Sequence, residues 1–257
     1  LVAKAGLRAE YTDSKGNWKS SQTRTSKGYL DFFPNIYLGY TPSKDFRYQL
    51  SYSLRITRPN YNMLNPFQQY VDAQSSVKGN PDLNPEKTHE FTMSIGYKSN
   101  FNLALIYQQT DNKIIQNPYF NEESGEKLLI FENFGIQKFA GAAFSITEYP
   151  LTKWLRGNLN TFGAWIYNKG KEDYTSESFF SQSNAVLSFL LPKSLKFEVN
   201  AMFQTGLPYG YFRILPQGSL SLAVKKSFMN NKADLAININ DIFNTQSFTN
   251  GFNKSCF

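Results

Sequence analysis

Residues 46–57, FRYQLSYSLRIT, alternate without exception between apolar or aromatic and polar side chains. Phe46, Tyr48, Leu50, Tyr52, Leu54 and Ile56 share one face, and Arg47, Gln49, Ser51, Ser53, Arg55 and Thr57 share the other. Successive side chains of a strand point to opposite faces, so the pattern predicts a strand with one apolar face. A helix would mix the two sets around its circumference. The same period recurs over residues 88–97, 101–110, 195–205 and 233–243, and more weakly over 1–11, 29–40, 129–148, 153–169, 179–191 and 217–227, giving eleven predicted strands. Residues 129–148 change phase near Phe139, which predicts a bulge or a long bent strand there.

The connections carry a second pattern. Short ones, at 41–45, 98–100, 149–153, 192–194 and 229–232, are built from Pro, Asn, Ser and Lys, as tight turns are. Long ones, at 12–28, 59–86, 113–128, 170–178 and 206–216, alternate strictly with them. Short turns at one end and long loops at the other predict an all-β, antiparallel, up-and-down transmembrane barrel. A soluble β-sandwich also alternates, but its strands average about 5–6 residues. These reach about 10–12, the length a tilted strand needs to cross a bilayer. Aromatic residues stand at segment ends (Tyr40, Phe46, Tyr97, Phe101, Tyr107, Trp154, Tyr167 and Phe228), as in the girdles at a membrane–water interface. The apolar face is then expected to meet lipid and the polar face to line a wet lumen.

Composition removes several classes of function. One His and one Cys, Cys256, exclude a disulfide and a zinc site of the Cys/His type within the chain. The net charge of +7 reads as a solvated surface, with attraction to anionic lipid head groups or to an acidic ligand as the alternative, and the scattered Lys and Arg lack the basic cluster that nucleic acid needs. The chain opens LVAKAGLRAEY, already alternating, with no signal-peptide pattern. A Ser–His–acid set would need His89, which shares the phase of Phe91, Met93 and Ile95 and is expected on the lipid-facing side near the interface. No enzyme activity and no cofactor are therefore expected. Glu122, Glu123 and Glu126 lack the spacing of a calcium loop and read as a solvated charge run.

The ligand-binding candidates are aromatic, amide and cationic residues of the long loops. They are Arg58, Asn60, Tyr61, Asn65, Phe67, Gln68, Gln69 and Tyr70 in the 59–86 connection, and Tyr119, Phe120, Tyr209, Tyr211 and Phe212 in later ones. Aromatic faces beside amide donors suit sugars or peptides. GNPDLNP, residues 79–85, has two prolines fixing φ among turn formers and reads as a rigid, structural return into the barrel.

GLRAEYT, FFPNIYLGY, YSLRITRPNYNMLNPF, GNPDLNPEKTHEF and NDIFNT, in this order, resemble the barrel of TonB-dependent outer-membrane receptors, in particular the outer-membrane β-barrel family. The resemblance implies a barrel of about 22 strands, an N-terminal plug inside it and a plug segment that meets TonB. On that pattern residues 232–242 are the strand before the last, and counting back makes residues 1–11 the eleventh strand. Residues 1–257 then form the C-terminal part of the barrel, eleven strands without the final one, with the plug and first half outside the chain. Eleven strands cannot close, so both edges are expected to be unpaired and the piece unstable alone. The implied function is energy-coupled uptake of a glycan, peptide or siderophore across the bacterial outer membrane. The implied partners are outer-membrane lipid and lipopolysaccharide, the TonB complex through the plug, and a surface lipoprotein. A passive channel or adhesion barrel without a plug, and a soluble β-rich binding module, are the alternatives.

Overall fold

A computed structural model of the chain describes all residues except 20–22, 122–123, 171–174, 210–211, 230–231, 246–249 and 253–257. The elements are β1 Val2–Trp18, β2 Thr23–Tyr40, β3 Phe46–Thr57, α1 Tyr61–Leu64, β4 Gln68–Tyr70, β5 Ser75–Lys78, β6 Glu86–Tyr97, β7 Phe101–Phe120, β8 Lys127–Pro150, β9 Leu155–Lys169, β10 Thr175–Leu191, β11 Leu195–Gln204, β12 Leu207–Tyr209, β13 Phe212–Ile214, β14 Gln217–Phe228, β15 Ala233–Ile239 and β16 Asn250–Phe252. Eleven of them follow one path, β1-β2-β3-β6-β7-β8-β9-β10-β11-β14-β15, and each pairs antiparallel with the next. These are the eleven strands of the alternation. The sheet does not close: β1 and β15 each have one free edge among the described residues. β12, β13 and β16 form a separate small sheet.

The apolar face has no covering layer. Leu38, Leu50, Met93 and Leu105 are cross-strand neighbours in one rung, and each is more than two-fifths exposed. Above that rung Tyr52, Phe91 and Tyr107 pack ring to ring, and below it Phe46, Tyr97 and Phe101 do the same. The six residues between the two aromatic rows span about 20 Å along a strand, the order of the apolar band of an outer-membrane barrel. Only six apolar side chains are buried among the described residues, which removes the core that a soluble sandwich would need.

The short turns hold the inner end through local chemistry. The Ser43 hydroxyl accepts from the backbone N–H of Asp45 and Phe46 at 3.3 and 3.2 Å. Lys98, Lys193, Ser194 and Met229 take the positive φ that such tight reversals require.

The outer end differs from the expectation. Segments 12–28 and 113–128 are not open loops. β1 and β2 pair as far as Trp18↔Thr23, and β7 and β8 as far as Phe120↔Lys127. Beyond the membrane band neither face is buried, so the ladder continues with no hydrophobic period to announce it. The bulge or long strand expected near Phe139 takes the form of one 24-residue strand, β8, with register shifts on both sides of that residue, the later one at Ile146/Tyr149. Register breaks at Thr110/Lys113/Ile114 opposite Gly135, four residues before Phe139. The phase change at Phe139 has another origin. It points to the polar face, where Phe139, Phe162 and Phe180 pack together over Gly141 and Ala164. That face is therefore aromatic over β8–β10, not polar throughout. Segment 233–243 is a strand only to Ile239. Asp241 takes a positive φ and its carboxylate accepts from the Thr245 N–H at 3.1 Å, which turns the chain.

Candidate functional site

The 59–86 connection folds into α1, β4 and β5. Asn60 caps α1, its Oδ1 accepting from the Met63 N–H at 3.0 Å. β5 then pairs parallel with residues 127–130 of β8, on the edge of β8 that lies above the end of β9 at Ile136↔Lys169. The connection thus crosses β6 and β7 to reach the outer end of β8.

Its return is pinned. The Gly79 and Asn80 N–H groups donate to the Asn65 and Met63 carbonyls at 2.9 and 2.7 Å. A Cβ at Gly79 would stand 2.5 Å from the Asn65 carbonyl, so only glycine allows this approach. Leu83 is fully buried. Asn133 accepts from the Asn84 N–H at 2.8 Å and donates to the Asn84 and Asn112 carbonyls at 2.9 and 2.8 Å. The Glu86 carboxylate, buried, accepts from the Ile114 N–H at 2.7 Å and pairs with Lys113 at 3.2 Å. It thereby satisfies a backbone donor at the bulge.

A cleft opens beside the start of the connection. β2 pairs with β3 only from Tyr40↔Tyr48 to Asn35↔Ser53, while β1 follows β2 to its tip. Above Asn35 the β1–β2 hairpin therefore leaves the wall. Arg58 bridges the gap, with Nη2 2.7 Å from Glu10 Oε2 and 3.0 Å from Thr12 Oγ1. This hydrogen bond to Glu10 is the main reason the Arg58 guanidinium holds its proton more tightly than usual. Lys27 donates to the Leu83 carbonyl at 2.8 Å, and burial lowers its pKa from the ordinary value, partly offset by Asp82. At the base Lys87 meets the buried Asp31 carboxylate at 2.6 Å.

These straps enclose a pocket of about 440 Å³ between the hairpin and the connection. Trp18, Tyr29, Tyr61, Pro59, Pro81 and Pro85 give it flat walls, with Lys15, Lys27 and Arg58 as its charged groups. The Trp18 indole lies across Gly16, where a Cβ would be 2.3 Å from the ring. Aromatic faces beside cations can hold a ring-bearing polar ligand.

The candidates from the sequence separate. Arg58 and Tyr61 line this pocket. Phe67, Gln69 and Tyr70 line a second one of about 230 Å³ with Val77 and Phe131. Asn60 is the helix cap, Asn65 accepts from the Phe67 N–H at 3.2 Å, and Gln68 donates to Ser76 at 2.8 Å, all bonds within the connection. Tyr119 donates to Glu132 at 2.9 Å on the β7–β8 hairpin, and Phe120 lies under Lys127 there. Tyr209 and Phe212 pair through their backbones in β12–β13, and Tyr211, Glu122 and Glu123 lie outside the described residues. His89 faces with Tyr52, whose hydroxyl is 3.0 Å from Nδ1. The described residues contain no group of three or more His, Cys, Asp or Glu able to hold a metal.

Lys15, Trp18, Lys27 and Tyr29 were not among the sequence candidates. The available signal was Trp18, the one tryptophan in a segment of Ser, Thr, Asn and Lys.

Solved structures share the architecture. The siderophore receptor PirA from Pseudomonas aeruginosa aligns with a TM-score of 0.65 at 14% identity, over 94% of this chain and 46% of that one. The ferric enterobactin receptor PfeA from Pseudomonas aeruginosa aligns at 0.64 and 14%, over 93% and 38%. PirA from Acinetobacter baumannii aligns at 0.53 and 11%, over 86% and 38%. The chain spans less than half the length of these receptors. No curated protein matches it. A match across residues 1–256 shows that the chain belongs to the outer membrane protein beta-barrel family, which places it in the bacterial outer membrane.

Proposed function

We propose that the chain is the C-terminal part of the barrel of a TonB-dependent receptor that captures a scarce nutrient outside the cell and imports it. The observation that carries this reading is the asymmetry of the two ends. One end has minimal turns. The other has extended hairpins and a strapped connection that together enclose a pocket of about 440 Å³. A passive pore has no need of an enclosed pocket at its outer mouth, whereas a receptor must bind before it transports. The structural neighbours, siderophore and ferric enterobactin receptors, support the receptor class. In the whole protein the remaining strands complete a barrel of about 22, a plug fills it, and TonB pulls on the plug. Lipopolysaccharide surrounds the apolar band.

The test uses the full-length protein in its own cells. Uptake of its ligand is expected to stop when TonB is deleted and to fall when Arg58 and Tyr61 are both replaced by Ala. Uptake unchanged without TonB, with steady conductance in a planar bilayer, would establish the passive channel instead.

A further inference from the structure

The receptor reading leaves the ligand's chemistry open, and the pocket beside the β1–β2 hairpin narrows it. Resting on that reading, we propose that this pocket takes an anionic ligand, one whose carboxylate, phosphate or phenolate group is carried on a flat ring or sugar face, through Lys15, Lys27 and Arg58.

The wall of the pocket holds these three cations and no carboxylate. The acids that pair with two of them stand outside the wall. Asp13 is 3.0 Å from Lys15, and Glu10 is 2.7 Å from Arg58. Each cation keeps donors beyond the one its acid occupies, because an ammonium has three N–H groups and a guanidinium five. Lys27 has no acid at ion-pair distance among the described residues. Its partners are neutral, the Leu83 carbonyl at 2.8 Å and Asn84 Oδ1 at 3.5 Å. It is thus a part-buried cation in the wall of the pocket with no ion-pair partner among the described residues, and Asp82 answers its charge only from longer range. Burial already disfavours its charged form, and an anion in the pocket would remove that cost. A neutral sugar or neutral peptide would leave it in place.

The rest of the wall suits the carrier of the charge. Tyr29, Tyr61 and Trp18 offer ring faces, and Pro59, Pro81 and Pro85 offer rigid apolar ones. A volume of about 440 Å³ accommodates a ring with its substituents and little more. The second pocket, beside Phe67 and Tyr70, has no charged residue in its wall and is suited to a neutral part of the same ligand.

The experiment is a titration of the full-length protein in detergent, read by isothermal titration calorimetry. The probes are a uronic-acid trisaccharide, its uncharged counterpart, a ferric tris-catecholate and a neutral ferric hydroxamate. At least one anionic probe is expected to bind about tenfold or more tightly than its neutral counterpart, weakening with added salt. Lys27→Gln, which keeps a donor for Leu83, is expected to cost about tenfold for that probe, the order of one charge-assisted hydrogen bond, and nothing for the neutral ones. Lys15→Gln, at an exposed position, is expected to weaken it by a smaller factor. Equal binding of charged and neutral probes, or full affinity in both variants, would overturn the proposal. TonB-dependent uptake of a neutral ligand, insensitive to both substitutions, would overturn it while leaving the receptor intact. Loss of TonB dependence for every ligand would instead remove the receptor reading.

Discussion

The β1–β2 and β7–β8 hairpins both carry their ladders past the apolar band, yet they are held in opposite ways. β7–β8 is irregular, with a register break opposite Gly135, and it is the better braced. The buried Glu86 carboxylate answers the Ile114 N–H, and Asn133 ties two neighbouring carbonyls. β1–β2 is regular from Val2↔Gly39 to Trp18↔Thr23 but parts from β3 above Asn35. Its upper straps, Arg58 to Glu10 and Lys27 to Leu83, are side chains that water can partly replace. A regular ladder does not by itself mean a fixed position. The hairpin with buried backbone bonds anchors the connection through β5, and the hairpin with replaceable straps forms one wall of the pocket.

The largest expected effect tests the one place where the two resemble each other. Asp31 is buried at the base of the cleft, with Lys87 2.6 Å from Oδ1 and no partner on Oδ2. Lys87→Met leaves that carboxylate without its cation and is expected to cost about 3 kcal/mol. Asp31→Asn in the same chain should restore most of it. Urea or thermal unfolding of the full-length protein reads both. A single variant as stable as wild type would show that water already reaches Asp31.

Glu86→Ala comes next. It orphans a backbone N–H at the bulge and frees Lys113, at about 2 kcal/mol. Glu86→Gln keeps the acceptor and should lose only the ionic part. Hydrogen exchange is expected to rise at residues 110–116 and 79–86 and to stay unchanged in β1–β2. Equal rises in both hairpins would mean that they are braced as one unit.

The sequence showed the parts of this comparison unevenly. Residues 46–57 and 88–97 were legible because one face meets apolar surroundings and the other does not, so the period is forced. The outer halves of β1 and β2 were not, since in residues 12–18 and 24–28 Trp18 is the one buried side chain and the strand character lies in the backbone ladder. Gly135 as the bulge was hidden behind Phe139, whose inward ring mimics a phase break. Of the site, Arg58 and Tyr61 stood out by type beside the TRPNYN turn. The opposite wall, from Lys15 to Tyr29, depends on which hairpin leans over the connection, a tertiary fact with no local signature.

Arg58→Ala is a smaller change. Its ion pair with Glu10 is partly exposed on both sides and is worth about 0.5–1 kcal/mol. Global unfolding should barely move. Exchange should rise within residues 8–14 and 24–31 as the pocket loosens. Unchanged exchange there would place the hairpin's hold at Asp31 and Lys87 alone.

The smallest effect concerns Lys27, which lies beyond the membrane band. Burial lowers its pKa below the ordinary 10.5, so the folded state holds that proton less tightly than the unfolded chain does. While the lysine is charged in both states the hairpin carries a constant penalty. The penalty lifts as pH rises from the lowered pKa towards 10.5, and local stability should rise slightly in that window. Affinity for an anion should run the other way, falling across the same window as the charge is lost. Lys15, Tyr29 and Tyr61 also face the pocket, so the quantity to read is wild type minus Lys27→Met. That difference should show rising protection and falling anion affinity together. A flat difference would mean that Lys27 is solvated in the folded protein, and the pocket would lose its one cation without an ion-pair partner among the described residues.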